Sequence, residues 1–247
     1  MISCDLNCDM GEGIGNDEEL IAFITSANIA CGYHAGDETT MHETVKLASQ
    51  FGVAIGAHPS FLDRENFGRT ERKDVTPEQV YVLITDQLKI LHKIVVGNKA
   101  KLHHVKPHGA LYNMAAKDAA LSKAIAKSVF DFDEKLVLYG LSGSHLISEA
   151  ELIGLKTASE VFADRTYQDD GSLTPRTQPN ALITDEEQSL KQVFQMVEKG
   201  TVITTSGKEI PIVAETICLH GDGQNAVAFA KRIHEELKRN DIELRTI

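Results

Sequence analysis

The chain has 247 residues, 42% hydrophobic and 25% charged, with 36 acidic against 25 basic side chains and a formal charge of −11. A full-sized core is within reach, whereas a nucleic-acid surface, which needs clustered lysine and arginine, is not expected. No stretch approaches the roughly 18 apolar residues of a membrane span, and the opening MISCDLNCDMGEG has neither the basic nor the apolar region of a signal peptide, so the expected compartment is the cytoplasm.

Short apolar runs alternate with helix-like stretches along the whole chain. ISCDLNC (2–8) reads as a strand, followed by a helix from about Asp17. SANIAC (26–31) precedes a helix over about 38–51, and GVAIGAH (52–58) precedes a long loop. Thr76-Pro77-Glu78-Gln79 then supplies the cap, first-turn proline and capping-box glutamine of a helix start. LHHVKP (102–107) leads to an Ala-rich helix over 115–130, and KLVLYG (135–140) to a helix over about 144–152. KTASEVFA (156–163) runs into a polar stretch over 164–183, then a helix from about Asp185. TVITTSGKEIPIV (201–213) reads as a β-hairpin insertion around Ser206-Gly207. TICLHG (216–221) and a helix over about 224–240 close the series.

Seven strand-then-helix units imply a parallel sheet with right-handed crossovers, either closed as a (β/α) barrel or open and doubly wound. No linker or compositional break divides the chain, so residues 1–247 are expected to form one domain. The stretch 164–183 carries Gly171, Pro175 and Pro179 and is expected to be a mobile lid. Cys4, Cys8, Cys31 and Cys218 read as small buried thiols, because a Cys4/Cys8 pair lacks zinc-knuckle spacing and a second pair.

Polar side chains gather where the strands end. Asn7, Asp9 and Glu12 follow the first, His34 and Asp37 the second, and His58 the third. Lys106 and His108 follow the fourth, Glu160 and Arg165 stand near the sixth, and His220 and Asp222 follow the last. In a parallel α/β fold these ends share one face, where ligands bind. Asp37 also suits the N-cap of the next helix. Gly11-Glu12-Gly13-Ile14-Gly15 offers backbone N–H groups to an anion, but it is not a dinucleotide fingerprint. The chain has no P-loop and no G-x-S-x-G elbow.

DLNCDMGE (5–12), NIACGYHAGD (28–37), GAHPSF (56–61), FGR (67–69), VKPHGALYN (105–113), EVFADRTY (160–167) and CLHGD (218–222) resemble, in this order, the LamB/YcsF family, described as the A subunit of 5-oxoprolinase. Thr70 stands where that family often has a second arginine. The resemblance implies a seven-stranded parallel (β/α) barrel similar to the glycoside hydrolase/deacetylase superfamily. It also implies ATP-dependent opening of 5-oxoproline to L-glutamate, with ATP as co-substrate and subunits B and C as partners.

That reaction needs a base for water, an acid for the departing nitrogen, donors for an oxyanion and a cationic seat for a carboxylate. Asp9, His34, Asp37, His58 and Glu160 are the candidates for catalysis. Asn7, Glu12, Lys106, His108, Arg165, Arg176, His220 and Asp222 are the candidates for binding. The superfamily likeness raises a divalent ion beside the magnesium of ATP, with Asp9, His34 and His58 as one ligand set. Two other readings are a stand-alone metal-dependent amidohydrolase or deacetylase, and a non-catalytic subunit that only binds 5-oxoproline.

Overall fold

Seven parallel strands close on themselves in the computed structural model, which describes residues 2–219 and 226–247. The first six are β1 (Ser3–Met10), β2 (Ser26–Ala30), β3 (Ala54–His58), β4 (Leu102–Val105), β5 (Val137–Leu141) and β6 (Lys156–Phe162). A hairpin of β7 (Thr201–Ile203) and β8 (Glu209–Pro211) then precedes the seventh barrel strand, β9 (Thr216–Leu219). Pairing of β9 with both β6 and β1 closes the ring and decides between barrel and open sheet. The short β10 (Glu243–Leu244) pairs with the start of β1.

The helices are α1 (Asp17–Leu20), α2 (Glu38–Phe51), α3 (Pro77–Gly97), α4 (Gly109–Lys117), α5 (Ala119–Phe132), α6 (His145–Leu152), α7 (Glu186–Phe194) and α8 (Ala226–Arg239). Val80, Ile84, Leu88, Leu91 and Val95 of α3 recur at three and four residues and are buried, as one helix face laid on a sheet requires. Its start is the expected capping box: Thr76 Oγ1 accepts from the Gln79 N–H, and Gln79 Oε1 accepts from the Thr76 N–H at 2.9 Å. The helix expected over 115–130 is two helices. Asp118 breaks it, because its carboxylate accepts from the Ala120 and Leu121 N–H groups and so starts α5 afresh. None of the described helices is long and apolar enough to cross a membrane.

Strand alternation sorts β1 into two faces. Cys4, Leu6, Cys8 and Met10 join the apolar core. Asp5, Asn7 and Asp9 point into the barrel, where Asp5 and Asn7 meet side chains of the two flanking strands, β2 and β9. Ser26 Oγ on β2 lies 3.2 Å from Tyr139 Oη on β5, a contact that crosses the interior. This barrel is filled by a column of polar groups rather than by the branched apolar layers common in such folds.

Candidate active site

At the base of the column Asp5 accepts hydroxyl hydrogen bonds from Thr25 at 2.5 Å, Ser26 at 2.7 Å and Thr216 at 2.6 Å. One level up, Asn28 Nδ2 donates to Asn7 Oδ1 at 2.8 Å and to Asp9 Oδ1 at 2.9 Å, while His104 Nε2 donates to Asn28 Oδ1 at 2.8 Å. Gly56 makes room for that imidazole, since a Cβ there would lie 2.0 Å from His104 Nε2.

Lys106 ends the column. Its ammonium lies 2.8 Å from Asp9 Oδ1, 2.8 Å from Glu160 Oε1 and 3.1 Å from Asn7 Oδ1. The Glu160 contact is an ion pair without hydrogen-bond alignment. Burial by itself would lower the lysine pKa, but the Asp9 and Glu160 carboxylates outweigh it and hold the ammonium well above its ordinary range. Tyr112 Oη donates to Glu160 Oε2 at 2.7 Å, and burial pushes this phenol well up.

Beside this acid–lysine group stand Glu12, His34, His58 and His108, with one ligand-type atom from each within 4.8 Å of the others. His58 follows from the end of β3, and His108 sits just before α4. Gly109 fixes the entry to α4 with φ +59°, and a Cβ on it would lie 2.5 Å from Gly68 O. His58 Nδ1 meets the Lys106 carbonyl at 2.7 Å, and His108 Nε2 meets the Phe67 carbonyl at 2.9 Å. The remaining nitrogens, His58 Nε2 and His108 Nδ1, face each other at 2.8 Å. Asp9 Oδ2 lies 3.2 Å from His58 Nε2, and Glu12 Oε1 lies 3.6 Å from His108 Nδ1. His34 stacks on His108 at 3.9 Å and places Nε2 3.1 Å from Glu12 Oε1. Burial, then the neighbouring His58, lowers the His34 pKa to about 3, and the same causes hold His108 well below its ordinary range.

Both groups open on a cavity of about 810 Å³ at the C-terminal mouth of the barrel. Its inner wall holds Asp9, Glu12, His58, Lys106 and His108, and its outer wall holds Arg69, Lys117 and Arg176. The sequence candidates thus divide. Asp9, Glu12, His34, His58, Lys106, His108 and Glu160 come together here. Asn7 lies beneath them and holds Lys106. Asp37 is not among them: it caps α2, accepting from the Thr40 N–H at 2.8 Å. His220 and Asp222 lie outside the described residues.

Arg165 borders the cavity but is buried, and its guanidinium donates to the carbonyls of Ala181 at 3.2 Å and Thr174 at 2.6 Å. It fastens the stretch 164–183 to itself, and burial together with Arg176 lowers its pKa to about 10. The expected anion cradle at Gly11 is also occupied from within the chain, because the Gly11 N–H donates to Asp17 Oδ2 at 2.8 Å. Tyr112, Asn28 and Arg69 were not among the sequence candidates. Asn28 had a signal, being the one amide inside the apolar SANIA strand. Tyr112 follows His108 by four residues, one helical turn.

The profile of the LamB/YcsF family matches residues 4–247. A Brevibacillus brevis protein named as the A subunit of 5-oxoprolinase is 54% identical over 242 residues, covering 96% of this chain and 95% of that one. A Geobacillus kaustophilus protein of the same name is 53% identical over 248 residues, covering 99% of this chain and 96% of that one. Among solved structures, a lactam utilization protein from Thermus thermophilus superposes with a TM-score of 0.92 at 39% identity, over 100% of both chains. A deacetylase solved with its substrate shares the fold at a TM-score of 0.54 and 12% identity, covering 98% of this chain and 87% of that one.

Proposed function

Since the chain belongs to the LamB/YcsF family, we propose that it is the A subunit of an ATP-dependent 5-oxoprolinase, a single-domain cytoplasmic hydrolase that opens the lactam of 5-oxoproline to L-glutamate together with subunits B and C. The observation that carries this reading is the 54% identity, over 96% of the chain, to a protein bearing that name. The site supports it chemically. The outer arginines Arg69 and Arg176 suit the carboxylate of a small acid, and a guanidinium holds a carboxylate through two parallel bonds. The amide then reaches the inner wall.

There, Asp9 is oriented as a base. Lys106 and Asn28 both donate to its Oδ1, which turns Oδ2 toward His58. Lys106 sets its charge against Asp9 and Glu160 and presents positive charge where an oxyanion would form. Glu160, held by Tyr112 and paired with Lys106, is assigned to proton transfer toward the departing nitrogen. Activation of the amide oxygen by ATP makes the stable lactam reactive, and Arg176 and Lys117 are placed for phosphate as well as carboxylate.

The cluster of Glu12, His58 and His108, with His34 beside it, fits a divalent ion, because acceptor atoms of those three converge there. Such an ion would polarise the amide oxygen and lower the pKa of bound water. The ligand set expected from sequence changes accordingly: Glu12 and His108 enter it, and Asp9 Oδ1 is taken by Lys106 and Asn28.

The test is release of glutamate from 5-oxoproline by the chain with subunits B and C, with and without ATP. Release that needs ATP and all three subunits is expected. ATP-independent amide hydrolysis by the chain alone, abolished by EDTA, would replace the proposal by a stand-alone metal amidohydrolase. Full activity of Asp9→Asn and Glu160→Gln in the complex would leave only a binding subunit.

A further inference from the structure

We propose that Glu12, His58 and His108 bind a divalent transition ion, of the zinc or cobalt type, that is distinct from any magnesium carried by a nucleotide, and that His34 positions Glu12 for it. The role of the ion rests on the reading of the site as the centre of lactam opening; its binding does not.

The case begins with tautomers. A backbone carbonyl only accepts hydrogen bonds. Because His58 Nδ1 lies 2.7 Å from the Lys106 carbonyl, its proton is on Nδ1 and its lone pair is on Nε2. Because His108 Nε2 lies 2.9 Å from the Phe67 carbonyl, its lone pair is on Nδ1. These two lone pairs point at each other across 2.8 Å. Two carboxylate oxygens border the same point, with Asp9 Oδ2 3.2 Å and Glu12 Oε1 3.9 Å from His58 Nε2. The two imidazole lone pairs repel each other at this distance unless a cation joins them, and the carboxylates border the place where it would sit.

The spacing and chemistry select the cation. Bonds of roughly 2.0–2.2 Å at tetrahedral angles put neighbouring ligand atoms ~3.3–3.6 Å apart. The observed separations of 2.8, 3.6 and 3.9 Å among His58, His108 and Glu12 bracket that range. Two imidazoles and a carboxylate favour a transition ion, whereas magnesium prefers an all-oxygen octahedron. Each imidazole also gives its other N–H to a carbonyl, the usual support for a metal-bound histidine.

His34 plays a different part. It is buried behind His108 and is absent from the cavity wall that Glu12, His58 and His108 share. Among the described residues no carbonyl fixes its tautomer and its Nδ1 has no hydrogen-bond partner. Its Nε2–H donates to Glu12 Oε1 and holds that carboxylate toward the two imidazoles. Three protein ligands and an open side toward a cavity is the arrangement of catalytic, not structural, zinc.

The experiment uses the full chain alone, stripped with EDTA, with no substrate, ATP or partner present. Cobalt(II) is titrated while visible absorption and thermal midpoint are followed, and magnesium is run in parallel. The expected result is one equivalent bound, the intense d–d bands of a low-coordinate imidazole site, and a raised midpoint with cobalt but not with magnesium. Glu12→Gln and His108→Asn should lose the bands. His34→Asn should keep them while weakening cobalt roughly 10- to 100-fold, as loss of an outer support does, and His34→Gln, which restores a donor to Glu12, should recover part of that. Folded wild-type chain that shows no bands, equal binding by the Glu12→Gln variant, or an equal response to magnesium would overturn the site. An inactive three-subunit mixture would bear on the lactam reading and leave the cobalt result standing.

Discussion

Two polar layers lie in one barrel, and they are built on opposite rules. Around Asp5 every acceptor has met a donor: three hydroxyls serve the carboxylate, and Thr216 Oγ1 in turn accepts from Asn7 Nδ2 at 2.7 Å. At the mouth, acceptors meet acceptors, with His58 Nε2 facing His108 Nδ1 and Asp9 Oδ2. Burial is almost the same in both, so burial does not separate structure from chemistry here. Closure of the hydrogen-bond network does. A layer that satisfies itself is scaffold, and a layer whose imidazole lone pairs converge is prepared for something that the described residues do not supply.

Lys106 joins the two layers, and its removal should have the largest effect. Lys106→Ala leaves Asp9 and Glu160 buried without their counter-charge, which is expected to cost ~3–5 kcal/mol of stability. Turnover per folded molecule should also fall by about 100-fold or more, a loss of ~3 kcal/mol in transition-state stabilisation. Urea unfolding and glutamate release measured on the same preparation check both. Unchanged stability would show that the lysine is not the seam between the layers.

Much of this was legible in sequence, for a simple reason. In a parallel barrel the apolar runs mark strands, and the polar residues just beyond them must share one end. That logic brought Asp9, His58, Lys106, His108 and Glu160 to one place without any long-range information. It failed for Asp37 and Arg165 because a carboxylate before a helix and an arginine in a long loop have local uses: one caps α2, the other ties Thr174 and Ala181. The same arginine bears on the lid expected over 164–183. Thr174 also bonds to Thr166 and Gln168, so the segment is tied to itself through its middle. The lower polar layer could not be read at all. Ser26, Thr216 and Tyr139 look like ordinary strand residues until the ring closes and sets them against Asp5.

The closed layer yields the next effect. Thr216→Val keeps the shape but removes the donor to Asp5 and the acceptor for Asn7. Two buried groups left unsatisfied at ~1–3 kcal/mol each predict a stability loss of ~2–4 kcal/mol. Cobalt binding at the mouth should be unchanged, as should turnover in the folded fraction. A variant that folds normally yet loses the ion would mean that the two layers are one unit.

Acid offers a milder probe. The folded His34 titrates near 3 and His104 and His108 well below their ordinary range, all three chiefly through burial. Depressed folded pKa values give stability that is present above about 6.5 and is lost as pH falls toward the folded value, at up to ~1.4 kcal/mol per pH unit for each histidine. Asp5 has the opposite sign: burial raises its pKa, so its cost at neutral pH is relieved in acid. Metal-free chain should therefore unfold at lower urea at pH 5 than at pH 7, and a midpoint that holds or rises would show the histidines already charged in the fold.

The smallest expected effect sharpens the boundary itself. Tyr112→Phe removes only the hydroxyl that donates to Glu160 Oε2 at 2.7 Å and keeps the ring packed edge-on to Phe162. The ion pair with Lys106 stays, so the stability loss should be ~1–2 kcal/mol, one charge-assisted bond. What distinguishes the layers is where that loss is felt. If Glu160 only balances Lys106, as Asp5 only anchors its hydroxyls, turnover in the folded fraction stays at the wild-type level. If Glu160 protonates the departing nitrogen, loss of the bond that orients its carboxyl should lower kcat about tenfold. The proposed role predicts the second outcome, with KM little changed because the lost hydroxyl bonds to Glu160 and not to Arg69 or Arg176. A wild-type kcat in the folded fraction would move Glu160 from the chemistry to the scaffold and leave Asp9 as the carboxylate that carries the acid–base work.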